Sequence, residues 1–110
     1  MNSHIYLTIA IIAEIIATTS LKLSDGFTKF VPSVFVFVGY IISFGVLSLA
    51  LKEMQLGVAY AIWSAVGTAG MAIIGFALWK EPLTASKLLA LALIIIGVII
   101  LETTSTSQGA

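Results

Sequence analysis

A single carboxylate lies inside the first apolar segment of the chain. The segment YLTIAIIAEIIATTSLKLS starts at Tyr6 and carries Glu14 near its middle, and its first lysine is Lys22. A charged side chain at bilayer depth costs at least roughly 2.5–3.5 kcal/mol. Desolvation favours the neutral, protonated form of a carboxyl group, whereas an adjacent cation favours the ionised form. Protons and cations are therefore expected to compete for Glu14.

Small side chains share the helix face of Glu14. Residues three, four or seven positions away lie on one face of a helix. That spacing selects Leu7, Ala10, Ile11, Ala17, Thr18 and Leu21. Ala10, Ala17 and Thr18 leave room beside the carboxylate, and no basic residue lies inside an apolar segment to neutralise it. The counter-charge is then a proton or a cation that enters. The alternative is a protonated Glu14 that only hydrogen-bonds a neighbouring helix.

Aromatic side chains also occur inside the apolar segments. Tyr40 lies in the middle of one, and Tyr60 and Trp63 lie three residues apart in another, which places them on one helix face. Aromatic faces attract desolvated organic cations by about 2 kcal/mol or more. Plain packing is the alternative for each ring taken alone. Together with the unpaired carboxylate, the rings favour the binding of a cation.

The composition is that of an integral membrane protein. Of the 110 residues, 60% are apolar and 9% are charged, whereas a soluble domain carries about a quarter charged residues. Five basic and five acidic side chains give a net charge of zero, which argues against nucleic acid as a partner. With no Cys and one His, the chain is expected to hold no metal or other cofactor. The sequence shows no nucleophile–base pair, so an enzyme is not expected.

Charged residues and helix breakers divide the chain into four apolar segments. A membrane-spanning helix needs about 20 apolar residues, and lipid requires the backbone to be helical. The predicted spans are residues 4–21, 32–51, 56–79 and 85–101, followed by a polar tail at 102–110. Asp25-Gly26 indicates the first turn, Pro82 ends the third helix, and Thr84 can cap the fourth. We predict one all-α domain over residues 1–110, with four transmembrane helices and short loops.

One subunit of four helices is too small to surround a drug-sized cation once side chains fill its cross-section. A homo-oligomer, most economically a dimer, brings two copies of Glu14 to a shared chamber. Ala90 and Gly97 lie one heptad apart in the fourth span. Because small residues let helices approach closely, these two positions are candidate contacts between subunits.

The chain resembles the small multidrug resistance family of bacterial exporters along essentially its whole length. The resemblance is carried by AEIIATTSLKLSDGFTKFVPS around Glu14, by GVAYAIWSAVG with Tyr60 and Trp63, and by IIIGV near the end. It implies a proton-coupled antiporter of the bacterial inner membrane, built as an antiparallel homodimer held together by its fourth spans. Protons and substrate would bind alternately at Glu14.

The resemblance also implies roles for individual positions. The substrate pocket would be lined by Leu7, Ala10, Ile11, Ala17, Thr18, Tyr40, Ser43, Phe44, Tyr60 and Trp63. Ala65, Val66 and Gly67 would flex as the inward- and outward-facing states exchange. Guanidinium exporters carry Trp one turn after the glutamate, where this chain has Ala17. The pattern therefore resembles the branch that exports quaternary ammonium compounds and other lipophilic cations.

Two features depart from the family pattern. Multidrug members often have Gly at positions 17, 65 and 90, where this chain has Ala, so added methyl groups are expected to narrow the pocket or stiffen the kink. The first and third loops hold four of the five lysines, which favours an orientation with those loops in the cytoplasm. An oppositely oriented pair of paralogous subunits is therefore the alternative to a homodimer.

Three other functions are compatible with the sequence. The same fold could export guanidinium. A mid-span carboxylate in each of many subunits could form a proton-conducting ring, although four spans and the Tyr60/Trp63 pair argue against it. The chain could also stabilise a larger complex without transporting anything.

Overall fold

The computed structural model describes residues 3–107, and within that part of the chain every regular element is an α-helix. Helix α1 spans Ser3–Leu23, α2 spans Phe30–Ala50, α3 spans Leu56–Trp79 and α4 spans Ala85–Ser107. All four are long and apolar enough to cross a membrane. The predicted class, an all-α protein with four transmembrane helices, is confirmed. The helices group into two compact units, Met1–Glu53 with α1 and α2, and Met54–Ala110 with α3 and α4.

Helix α4 continues beyond the end of the predicted fourth span. The polar tail was expected to start at residue 102, but the helix continues through Ser107. Residues 102–107, ETTSTS, contain neither Gly nor Pro, so no helix-breaking residue lies between the predicted end of the span and Gly109. Residues 108–110 of the predicted tail lie outside the described residues.

The turn between α1 and α2 is built around Ser24. The Ser24 side chain is fully buried, and its hydroxyl donates to the Leu21 carbonyl oxygen at 2.7 Å and accepts from the Phe27 backbone N–H at 3.0 Å. Asp25, Gly26 and Phe27 have φ values of 50°, 70° and 66°. Glycine adopts this left-handed conformation without strain, whereas the other two residues need the surrounding hydrogen bonds to hold it. The turn predicted at Asp25-Gly26 is confirmed.

Helices α1 and α2 approach closely where Ala17 faces Gly39. A methyl group added to Gly39 would lie 2.7 Å from the Ala17 Cβ and 3.2 Å from the Ala13 carbonyl oxygen. Position 39 therefore has room only for hydrogen, and the absence of a side chain lets the two backbones approach. Four residues later in α2, Ser43 contacts Ala10, seven residues earlier in α1. The two helices are therefore antiparallel, as their short connection requires.

The second unit joins α3 to α4 through a short connection. Helix α3 is followed by Lys80 at φ 57°, and the Gly75 carbonyl oxygen accepts from the backbone N–H groups of Lys80 and Glu81. Pro82 then prevents the helix from continuing. The Thr84 hydroxyl accepts from the Lys87 backbone N–H at 3.2 Å, which satisfies one of the free donors at the start of α4. The predicted cap at Thr84 is confirmed.

Candidate functional site

Glu14 lies on the partly buried face of α1, and its two carboxylate oxygens have different surroundings. Oε1 accepts a hydrogen bond from the Thr18 hydroxyl at 3.0 Å, a pairing that the spacing of four residues favours in a helix. Oε2 is buried and has no hydrogen-bond partner among the described residues. A buried polar atom without a partner is destabilising. Oε2 is therefore a buried acceptor that the described residues leave unsatisfied.

The Thr18 hydroxyl connects Glu14 to the neighbouring helix. Its oxygen lies 2.7 Å from the Tyr40 hydroxyl oxygen. The contact follows from the helix crossing, because Thr18 comes directly after Ala17 and Tyr40 directly after Gly39. The half-buried Tyr40 ring also stacks on a ring of its own helix, that of Phe44, with 6.1 Å between centroids and 22° between planes. Glu14, Thr18 and Tyr40 thus form one hydrogen-bonded group.

Ser43 fixes the turn of α1 that precedes Glu14. Its fully buried hydroxyl donates to the Ala10 carbonyl oxygen at 2.8 Å. In an α-helix the carbonyl of residue 10 also accepts from the backbone N–H of residue 14. The Ser43 hydroxyl therefore binds the same oxygen that anchors Glu14 in the helix. Ser43 was predicted to line a pocket, and in this unit its hydroxyl holds two helices together.

Replacing Ser43 by Ala is expected to lower the free energy of unfolding by about 1 kcal/mol, because one buried interhelical hydrogen bond is lost. Ser48 offers a matched control, since its exposed hydroxyl donates to the Gly45 carbonyl oxygen within the same helix. Ser48→Ala should change the stability little. Denaturant unfolding in detergent micelles measures both variants. Equal losses in the two would show that the Ser43 bond contributes nothing specific to the helix pair.

The other predicted pocket positions of α1 are buried. Leu7, Ala10, Ile11 and Ala17 are each at most 3% exposed. The methyl group of Ala17, which a glycine would lack, faces Gly39 at the helix crossing. Sequence reasoning missed Gly39 entirely. Its only signal is its place, directly before the mid-span Tyr40.

The predicted positions of α3 lie in the second unit. Tyr60 is 68% exposed and Trp63 is half-buried, three residues apart on the helix. Of the predicted hinge, Ala65 and Gly67 are buried and Val66 is exposed, within a helix that is continuous over Leu56–Trp79. The roles of these five residues in binding and flexing stay predictions.

The helices and the carboxylate define a class of protein: a small multi-pass membrane protein with an acidic side chain in the middle of its first span. The chain belongs to the small multidrug resistance family, because the family model described as "Small Multidrug Resistance protein" matches residues 2–94. The resemblance found in the sequence is confirmed. By family the chain is a multidrug resistance transporter and not an enzyme.

Curated relatives match along nearly their whole length. The quaternary ammonium compound-resistance protein QacE of Escherichia coli is 44% identical over 109 residues, which cover 99% of both chains. The multidrug resistance protein EbrB of Bacillus subtilis is 45% identical over 102 residues, which cover 93% of this chain and 87% of the relative. The multidrug resistance protein mmr of Mycobacterium leprae is 41% identical over 101 residues, with 91% and 94% covered.

Proposed function

We propose that the protein is a proton-coupled antiporter that exports quaternary ammonium and other lipophilic cations across the bacterial inner membrane. The names of QacE and of the multidrug resistance relatives support this class of substrate. The proposed coupling residue is Glu14, at which protons and cation bind in turn. The proposal rests on one observation: Glu14 Oε2 is buried and has no hydrogen-bond partner among the described residues.

Alternate occupancy of Glu14 couples the two fluxes when the site opens to the two sides of the membrane in turn and changes side only when it is occupied. Protons from outside neutralise the carboxyl groups, and a cation that arrives from inside favours the ionised form and displaces them. If two protons enter for each monovalent cation that leaves, one net charge moves inward. The membrane potential then contributes about 2.3 kcal/mol per 100 mV in addition to the pH gradient.

A second copy of the chain completes the proposed site. None of the residues in the span Ala85–Thr104 of α4 is buried within the subunit. Ala90 and Gly97 are both exposed, and a methyl group added to Gly97 would meet no described atom within 4 Å. Such a surface suits packing of α4 against α4 of a second subunit. The two Glu14 carboxylates would then share one chamber, and a paired paralogous subunit is the alternative partner.

The affinity of the purified protein for tetraphenylphosphonium is expected to fall as the pH falls. Each competing proton should raise the apparent Kd by about tenfold per pH unit below the transition, by mass action. Titration calorimetry measures the Kd at each pH and also the stoichiometry, for which one cation per two chains is expected.

Two variants show whether Glu14 is responsible for the pH dependence of the Kd. Glu14→Gln should remove the pH dependence of binding, and Glu53→Gln, which changes an exposed carboxylate after α2, should retain it. A wild-type Kd that is constant between acidic and neutral pH would contradict competition. A ring of many chains with no bound cation would favour the proton-conducting alternative.

A further inference from the structure

A chain of two hydroxyl groups extends from the Glu14 carboxylate to the second helix. The Thr18 oxygen lies 3.0 Å from Glu14 Oε1 and 2.7 Å from the Tyr40 hydroxyl oxygen. A threonine hydroxyl carries one proton, so it donates one hydrogen bond and accepts the others. It cannot donate to Glu14 and to Tyr40 at the same time. The direction of one hydrogen bond therefore fixes the direction of the other.

The ionised form of Glu14 allows one direction only. A carboxylate accepts hydrogen bonds and donates none. Thr18 must then donate to Oε1, and Tyr40 must donate to Thr18. In this state the Tyr40 proton is held in the chain, and the lone pairs of its oxygen are left for another donor.

The protonated form of Glu14 favours the opposite direction. A proton on Oε2 would be a buried donor with no acceptor among the described residues. Buried donors without an acceptor are rarer in proteins than buried carbonyl oxygens without a donor, so the proton is placed on Oε1. From Oε1 it donates to Thr18, Thr18 donates to Tyr40, and the Tyr40 proton turns to another acceptor. The oxygen positions stay the same while all donors and acceptors exchange roles.

We propose that Thr18 is a positioning residue that transmits the protonation state of Glu14 to the hydroxyl group of Tyr40. The inference rests on the proposed function only in requiring that Glu14 takes up a proton. Tyr40 is the one titratable residue of α2, and the other titratable groups of α1 are Tyr6 and, near the helix ends, His4 and Lys22. A cation with N–H groups would find an acceptor at Tyr40 when Glu14 is ionised, which is the form that attracts cations.

Carbon-13 NMR of the protein in lipid nanodiscs tests the coupling. Glutamate Cδ and tyrosine Cζ are labelled, and the signals are assigned with Glu14→Gln and Tyr40→Phe. In the wild type, the Tyr40 Cζ shift is expected to change at the same pH midpoint as the Glu14 Cδ shift. Thr18→Val replaces the hydroxyl by a methyl group of similar size. In this variant Glu14 should still titrate, and the Tyr40 response should fall severalfold.

Three further variants separate the relay from a change in packing. Thr18→Ser keeps the hydroxyl and should keep the Tyr40 response, whereas Thr18→Ala should lose it, as Thr18→Val does. Thr19→Val makes the same change at the next residue, whose hydroxyl has no hydrogen-bond partner among the described residues, and should behave as the wild type. Thr18→Ala supplies the result if Thr18→Val does not fold.

The outcomes distinguish the relay from the transport proposal. A Tyr40 signal that follows Glu14 equally well without the Thr18 hydroxyl would overturn the relay, because the carboxylate would then act directly through space. A Tyr40 signal that never moves while Glu14 titrates would also overturn it and leave the antiport proposal intact. A Glu14 that does not titrate between acidic and neutral pH contradicts both.

Discussion

Membrane vesicles that contain the Glu14→Gln variant are expected to show no proton-driven uptake of ethidium or methyl viologen above that of vesicles without the protein. The amide oxygen can still accept from the Thr18 hydroxyl, which bonds Oε1 at 3.0 Å in the wild type. An amide in a span also costs less to insert than a carboxylate. The variant should therefore fold and insert, but it cannot bind and release a proton. Ethidium fluorescence during acidification of the vesicle interior measures the uptake of ethidium, and radiolabel retained in the vesicles measures that of methyl viologen.

Two other carboxyl variants complete this experiment. Glu53→Gln removes an exposed acidic side chain after α2 and should transport at the wild-type rate. Glu14→Asp keeps an ionisable group one methylene shorter and should retain proton-driven uptake at a reduced rate. Transport by Glu14→Gln at the wild-type rate would end the proposal that Glu14 couples the two fluxes.

Replacing Gly39 by Ala is expected to lower the free energy of unfolding by about 1–3 kcal/mol, the usual cost of overpacking. The added methyl group would lie 2.7 Å from the Ala17 Cβ, so the two helices must separate. Separation stretches the Ser43–Ala10 and Thr18–Tyr40 hydrogen bonds, which hold the same helix pair. Tetraphenylphosphonium binding should weaken along with stability. Thermal unfolding and calorimetry measure the two effects.

A second substitution identifies the cause. Ala17→Gly removes the opposing methyl group and leaves the new side chain 3.2 Å from the residue 17 Cα and the Ala13 carbonyl oxygen. The double variant should recover more than half of the lost stability, a coupling that a double-mutant cycle measures. Gly45→Ala is the control in the same helix, because its methyl group would meet no described atom within 4 Å. If Gly39→Ala is no less stable than Gly45→Ala, the close helix crossing does not limit the size of the side chain at position 39.

The four helices were predictable because lipid strongly penalises charge. Charged side chains at Lys22, Lys52 and Lys80 lie just outside apolar runs of membrane length, so they define where the helices end. The end of α4 was not predictable on this basis. Serine and threonine mark the end of an apolar run, but they do not stop a helix from continuing through Ser107.

Part of the candidate site was also predictable, and the helix geometry explains which part. Glu14 is the one acidic residue deep within a span, and Thr18 follows it by one turn. The partners on α2 were not predictable as partners, because a helix that is apolar on all sides carries no polarity pattern to show which face meets its neighbour. Gly39, and the bond from Ser43 to Ala10, identify that face only once the pairing is known.

Because the space between α1 and α2 is narrow, the residues tolerated at positions 17 and 39 depend on each other. The space accommodates one methyl group, which in this chain belongs to Ala17 and leaves only hydrogen at Gly39. A mutation of Ala17 to glycine would open a small volume that a larger residue at position 39 could fill. If position 39 changed first, the intermediate protein would hold two methyl groups in that space. Descendants of one fold can therefore move a methyl group from one helix to its neighbour, at the lower cost in stability when position 17 becomes glycine first.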